Sequence, residues 1–541
     1  MPKIESSEIY LAKAKYDAYS NRKYPFLDNS NAKVAVIDME SEIKSRNTGT
    51  NIHEMVQKSR QYFNTGATKH VQFRKQQLQA LNRMLDENSK DLEIALAKDL
   101  NKSPMESQIT EIEFLKNDIR SIISHVSEWS KPIFVPKPLI NAFDKLFIYR
   151  EPYGLVLVMG AWNYPIQLTL APLVGAIAAG NCAIIKPSEH SPSCAQIIAR
   201  LIPKYLDNNA FKVFLGGVPE TTDLLKERFD YIFYTGSTTI GRIVQEAAAK
   251  HLTPVTLELG GKSPAFVDST ADINIAVKRI LWGKLINAGQ TCVAPDYILC
   301  SKETEKRLIQ SAEEVVRTWY GEDAKKSPDY GRIISNRHFE RLQTFLNDKT
   351  KIALGGKFDE NEKFIEPTVL VNVHPNDPIM QEEIFGPILP ILTVNDVSEA
   401  VNFINSRERP LALYIFTKNK KVKDSILKET SSGGVAINDT VMHTIVDTLP
   451  FGGIGYSGMG AYHGKASFDT FTHNKSVLEK DFNIIFEKMA EPKYPPYNKT
   501  KQKYIMFLTT HRGHLSFSFL WYVICFILGI GAAVLFIRFF A

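Results

Sequence analysis

Between Leu155 and Leu257 strand-length apolar runs alternate with helix-length segments, and this alternation narrows the fold more than any other feature of the chain. Leu155-Val-Leu-Val-Met159 is apolar at every position, so both faces of that strand must be covered. A small-residue helix is expected over Gln167 to Ala179, a strand over Ala183 to Ile185, and a helix over Ala195 to Tyr205. Strands are expected at Lys212 to Leu215 and Tyr231 to Tyr234, a helix from about Thr239 to Ala249, and a strand at Val255 to Leu257. Strands and helices in that order give an α/β fold with a parallel sheet covered on both faces, the doubly wound nucleotide-binding architecture. A second α/β region is expected from Gly260 to roughly Asp447.

At 541 residues, two or three domains are expected. Apolar residues are 44% and charged residues 23%, the balance of a soluble globular enzyme rather than a multi-span membrane protein. A net charge of +6 is small for this length and does not argue for nucleic acid; no Cys/His spacing suggests a metal. The five cysteines, Cys182, Cys194, Cys292, Cys300 and Cys525, are odd in number and irregular in spacing, which suits a reducing compartment. The amino terminus has no apolar run of signal-peptide length.

The carboxyl-terminal end is different. Phe519 to Ile537 is a 19-residue run without a charge. As a helix it would be about 28 Å long, and with 515–518 about 34 Å, enough for a hydrocarbon core of about 30 Å. Lys499, Lys501, Lys503 and Arg512 precede it, Trp521 and Tyr522 suit an interface, and four residues follow. A transmembrane tail anchor over 515–537 is expected, with the body in the cytosol. The endoplasmic reticulum is the first choice of membrane; the mitochondrial outer membrane, peroxisomes and lipid droplets stay open.

Two words carry the chemistry: Asn287-Ala-Gly-Gln-Thr-Cys-Val-Ala-Pro-Asp-Tyr297 and Glu258-Leu-Gly-Gly-Lys-Ser-Pro264. The first offers a sulfur nucleophile after a Gly-Gln-Thr turn, the second a carboxylate base. Together they have the parts to make and hydrolyse a thioester. A lone cysteine is usually a small buried hydrophobe. Its companions decide otherwise: Gly160-Ala-Trp-Asn-Tyr-Pro165 just past a strand, Lys186-Pro-Ser-Glu189 at the end of another, Gly236-Ser-Thr-Thr-Ile-Gly241 opening a helix, and Gln381-Glu-Glu-Ile-Phe-Gly-Pro387. An amide at Asn163 can bind an oxyanion, and a helix amino end at 236–241 can bind a pyrophosphate. A turn-forming asparagine and a solvated charge pair are the plain alternatives at Asn163 and at Lys186 with Glu189.

From about Ile52 to His473 the chain resembles the aldehyde dehydrogenase superfamily. Cys292-Val-Ala-Pro-Asp-Tyr297 and Pro450-Phe-Gly-Gly-Ile-Gly-Tyr-Ser-Gly-Met-Gly-Ala-Tyr-His-Gly464 look like its class 3 branch, which includes the fatty aldehyde dehydrogenases. The resemblance implies Cys292 as nucleophile, Glu258 as the base that activates water, and Asn163 in the oxyanion site. It implies NAD, with NADP possible, held by Lys186, Glu189, Gly236, Ser237, Thr238, Thr239, Ile240, Gly241, Glu383 and Phe385. Glu383 is also a candidate base, and the choice between it and Glu258 stays open. Glu189 would oppose a 2′-phosphate, which favours NAD.

The implied organisation is a polar extension over 1–51, an NAD-binding domain over 52–130 and 150–258, and a catalytic domain over 259–467. A β-hairpin oligomerisation arm over 131–149 and 468–480 would join a homodimer, and a linker with a helix would span 481–514. The implied activity is NAD-dependent oxidation of long-chain aldehydes to fatty acids. A rival, a catalytically inactive membrane-tethered scaffold of the same fold, would need a lost catalytic group; Cys292, Glu258, Asn163, Lys186 and Glu383 are all present.

Overall fold

A computed structural model describes residues 51–510, 522 and 525–531. The polar extension over residues 1–50 and most of the expected anchor therefore lie outside the described residues. No helix among the described residues is long and apolar enough to cross a membrane.

Two sheets form the body. The first has six strands in the order Gly458–Met459, Val255–Glu258, Tyr231–Thr235, Leu155–Met159, Cys182–Lys186 and Phe211–Val213. The last five run parallel. Every residue of Leu155–Met159 is buried, and a fully buried Leu or Val contributes about 1.5–3 kcal/mol. The helix Gln167–Ala179 is buried at all thirteen positions. The strand Leu155–Met159 feeds into it, and the helices Val71–Glu87 and Glu113–Trp129 pack over it.

The boundaries differ from expectation where a distant residue intervenes. The helix starts at Pro192, not Ala195, because the Asp99 carboxylate accepts from the Ser193 and Cys194 amides at 3.1 and 2.9 Å. The expected strand at Lys212–Leu215 is Phe211–Val213; pairing starts at Phe211 opposite Ala183 and frays into Gly216-Gly217.

The second sheet has seven strands in the order Ile352–Leu354, Thr368–Leu370, Ile388–Thr393, Tyr297–Cys300, Pro264–Val267, Ala412–Phe416 and Gly434–Ile437. All but the first run parallel. A three-stranded antiparallel sheet stands apart from both. In it Lys145–Pro152 lies between Ile133–Phe134 and Thr472–Glu479 and pairs with the latter over eight residues. Among the described residues of the linker, 481–510, there are two helices, Ile484–Ala490 and Lys499–Thr509, where one was expected. Pro492, Pro495 and Pro496 separate them, since proline lacks the N–H a continuing helix needs.

Candidate active site

The loop carrying Cys292 is built by an unusual backbone. Asn287, Ala288 and Gly289 take φ of 53°, 50° and 76° in succession, and the left-handed region is costly for residues other than glycine. At Gly289 a Cβ would sit 2.2 Å from the Gly386 carbonyl oxygen, so only glycine fits. The Gln290 amide then pins the turn. Its Nε2 donates to the Asn287 and Arg332 carbonyls at 3.0 and 2.9 Å, and its Oε1 accepts from the Ile334 amide at 2.9 Å. The Tyr414 hydroxyl donates to the Val293 carbonyl on the far side. Cys292 is held half-buried between these anchors. Burial pushes its thiol up, the Glu383 and Glu258 carboxylates push it further, and the Cys292 and Val293 amides oppose them. The resting sulfur is therefore protonated and needs a proton acceptor before it can attack.

Glu258 ends the strand Val255–Glu258 at the carboxyl edge of the first sheet. It is 3% exposed, and neither carboxylate oxygen has a hydrogen-bond partner. Burial raises its pKa well above the ordinary value. A buried, unpartnered carboxylate is costly as structure and apt as a base. Glu383 approaches from the second lobe. A Cβ on Gly260 would fall 2.0 Å from its carboxylate, so the glycine admits it. Burial and the nearby Asp296 raise its pKa to about 8, while the Gly261 amide, Lys262 and Lys284 hold it back. Asp296 pairs with Lys262 at 2.6 Å and lies 3.6 Å from Lys284, which is fully buried.

Asn163 lies in the loop after Leu155–Met159. Its Nδ2 donates to the Gln290 carbonyl at 3.0 Å, two residues before Cys292, which leaves its second N–H uncommitted. Next to it, the Tyr164 hydroxyl shares a 2.6 Å bond with the Thr291 hydroxyl. Phe385, at φ 51°, meets the Trp162 ring edge to face at 5.3 Å, and Trp162 also contacts His338. The sequence thus brings Cys292, Glu258, Glu383 and Asn163 to one place from four distant segments.

Of the residues expected to hold a dinucleotide, Lys186, Glu189 and 236–241 lie at the carboxyl ends of first-sheet strands, where such folds bind ligands, while Glu383 and Phe385 come from the second lobe. Lys186 ends its strand, and its ammonium forms an ion pair with Glu189. Burial works against the Glu189 carboxylate, but the Lys186 charge outweighs it and the pKa is lowered. The helix starts at Thr238, one residue before expectation, because the Ser237 hydroxyl caps it by accepting from the Ile240 amide. The other first-turn N–H groups have no intrahelical partner. A side chain on Gly236 would fall 2.2 Å from the Tyr234 hydroxyl, and one on Gly241 2.7 Å from a Leu259 methyl, so the two glycines let those side chains pack closely on the turn. These residues suit a pyrophosphate at the helix end and a ribose at the ion pair. Among the described residues no group of three His, Cys, Asp or Glu side chains is arranged to hold a metal ion.

Several participants escaped the sequence reading. Lys102, Glu106 and Glu111 reach the loops that carry Asn163 and Cys292 from a segment without a motif. Phe451 stacks on His463 at 5.3 Å and lies 6.3 Å from His443, which meets Tyr414. Burial keeps both imidazoles neutral, with pKa values lowered to about 4 for His443 and about 3 for His463. Only the density of glycines around them signalled this aromatic wall.

A doubly wound parallel sheet whose carboxyl end meets a second lobe carrying Cys292 is the arrangement of a dinucleotide-dependent oxidoreductase. Residues 40–477 match the aldehyde dehydrogenase family, and the chain belongs to that family. It is 52% identical over 447 residues to a rat "Aldehyde dehydrogenase, dimeric NADP-preferring", covering 83% of this chain and 98% of the relative. It is 50% identical over 456 residues to mouse "Aldehyde dehydrogenase family 3 member A2", covering 84% and 94%. Among solved structures, a substrate-bound state of Staphylococcus aureus AldH superimposes with a TM-score of 0.83 at 46% identity, covering 85% of this chain and all of that one. The protein is an enzyme, an aldehyde dehydrogenase that works with NAD or NADP.

Proposed function

We propose that this enzyme oxidises long-chain aliphatic aldehydes to fatty acids at a membrane surface, with NAD as its preferred cofactor. The observation that carries the chemistry is the half-buried Cys292 thiol beside a buried carboxylate, Glu258, whose two oxygens have no partner. Glu383, whose charge acts on the thiol more strongly than that of Glu258, takes the thiol proton. The sulfur then attacks the aldehyde carbon and forms a thiohemiacetal. The free N–H of Asn163 and the Cys292 amide bind the resulting oxyanion. NAD, when bound, would supply the hydride acceptor, and loss of the hydride leaves an acyl thioester on Cys292. Glu258 activates the water that hydrolyses it, and the fatty acid leaves. Gly236 to Gly241 and the Lys186–Glu189 pair hold the dinucleotide, with Glu383 and Phe385 on its nicotinamide side. The Glu189 carboxylate repels a 2′-phosphate. The rival base, Glu383, is supported by its raised pKa and its effect on the Cys292 thiol.

The domain limits proposed are 52–130 with 150–258 for cofactor, 259–467 for catalysis, and 131–149 with 468–480 for the dimer arm. Exposed Phe134, Tyr149 and Leu478 on the three-stranded sheet favour a covered face there. A tail anchor over 515–537 in the endoplasmic reticulum is supported by the length of the charge-free run and by Phe526, Ile527 and Leu528, each more than half exposed on the helical stretch 525–531. The test is NADH production by purified protein across aldehydes of increasing chain length. Rising kcat/KM with length supports the lipid substrate, and a preference for short or aromatic aldehydes overturns it.

A further inference from the structure

The segment 102–112 has no motif and lies outside the proposed chemistry, yet it touches both catalytic loops. Asn101 ends the helix Ser89–Leu100 in a left-handed turn at φ 51° and sends Lys102 inward. The Lys102 and Glu111 side chains are wholly buried and paired at 2.5 Å. Lys102 Nζ also donates to the Asn163 backbone carbonyl at 3.3 Å and sits 4.1 Å over the Tyr164 ring. The other Glu111 oxygen accepts from the Ile166 and Gln167 amides at 2.8 and 3.2 Å, at the start of the helix that follows Asn163. A π-helical turn over Gln108–Ile112 carries Glu111, an irregularity often found at functional sites. Glu106 lies on the short helix between. Its carboxylate accepts the Asn287 amide, the first residue of the left-handed tract that leads to Cys292. Finally, Asn287 Nδ2 donates to the same Asn163 carbonyl at 2.7 Å and to the Gln290 carbonyl at 3.1 Å. Donors from two segments, 61 and 124 residues away along the chain, thus converge on the one Asn163 carbonyl oxygen.

We infer that Lys102 and Glu106 are positioning residues: Lys102 fixes the loop that presents the Asn163 amide, and Glu106 holds the left-handed tract that presents Cys292, so that oxyanion donor and sulfur meet in one geometry. The inference rests on the roles proposed for Asn163 and Cys292. A left-handed asparagine and alanine are strained, and such strain persists only where the surroundings over-determine it. The Glu106 carboxyl group is the side-chain partner that does so at the start of the tract.

The test compares Glu106→Ala, Glu106→Gln and Asn163→Ala with the double variant Glu106→Ala/Asn163→Ala, by steady-state kinetics, NAD titration and thermal melting. Glu106→Ala is expected to lower kcat at least tenfold with NAD affinity within twofold. Glu106→Gln, which still accepts the Asn287 amide, is expected to recover most of the rate. In the double variant the Glu106 change should cost much less than it does alone, because the two act through one geometry. If Glu106→Ala keeps kcat within twofold while Asn163→Ala slows the enzyme, the brace is wrong and the oxyanion assignment stands. If Asn163→Ala itself costs nothing, the oxyanion reading fails and takes this inference with it. A fall in NAD affinity that accounts for all the loss, or equal losses in the alanine and glutamine variants, also overturns it. For Lys102 the variant is Lys102→Met with Glu111→Met, since removing one partner alone leaves a buried charge. If that double variant folds, a tenfold fall in kcat with unchanged NAD affinity is expected and an unchanged kcat refutes the lysine's part; if it does not fold, the Glu106 series decides.

Discussion

At the residue scale the site is a set of groups held against their own preferences. Cys292→Ala should abolish aldehyde oxidation while NAD binding, followed by fluorescence titration, changes less than about twofold. Substantial turnover in that variant would remove the nucleophile assignment. Glu258→Gln should stall after hydride transfer: rapid mixing should show a burst of NADH near one equivalent, followed by turnover at least 10²-fold slower, within the range of general-base contributions. Normal steady-state turnover would move the base to Glu383. In the wild-type enzyme, thioester hydrolysis should accelerate with pH through a range above that of ordinary carboxylates, because burial raises the Glu258 pKa.

Glu383 also makes a stability statement. Its folded-state pKa, about 8, exceeds the unfolded one, so its contribution is fully present below the ordinary glutamate range and is lost as pH rises through 8. Glu383→Gln should therefore leave the melting temperature unchanged near pH 4. At pH 8 it should gain roughly 1–2 kcal/mol over wild type, discounted for its partial exposure. Melting curves that move equally at both pH values would contradict this.

At the scale of elements, the sequence was legible wherever a rule acts locally. The all-apolar strand Leu155–Met159 and the helix Gln167–Ala179 were readable in full, because each is, Gln167 aside, an unbroken run of apolar or small residues of the length its element needs. The Gly-Gln-Thr-Cys and Glu-Leu-Gly-Gly words marked their turns because glycine is the only residue that fits there. What stayed hidden comes from long-range hydrogen bonds. Asp99 capping the helix Pro192–Tyr205 acts across 95 residues, and Glu106 reaches Asn287 across 181. No window of sequence contains both partners. The Lys186–Glu189 pair is the opposite case: the short spacing made a charge pair legible as the plain alternative there, and the two side chains do form an ion pair. Glu189→Ala should raise kcat/KM with NADP relative to NAD by at least about tenfold, since one close like-charge contact at the ribose is lost. An unchanged ratio would place the discrimination elsewhere.

For the whole molecule, the proposal joins a catalytic body to an apolar tail. Removing 515–541 should yield a protein that stays in the supernatant after membranes are pelleted and oxidises short aldehydes at the wild-type rate. Activity on long-chain aldehydes presented in vesicles should fall several-fold. A truncated protein that still pellets after a high-salt wash would locate the attachment elsewhere.

The two-residue strand Gly458–Met459 carries a consequence for assembly on the way to the native state. It closes the outer side of Val255–Glu258 by antiparallel pairing, Gly458 against Glu258 and Met459 against Leu257. The partners are 200 residues apart (458 − 258). Until the last part of the body has been synthesised, the strand that bears Glu258 is a bare edge, open to pairing with any other chain. A nascent polypeptide released early, or a nonsense product ending near 447, would expose that edge in a nearly complete sheet. Such fragments should aggregate rather than persist as half-active lobes, and the enzyme's yield in a cell should depend on how well a chaperone shields that edge until residue 458 arrives.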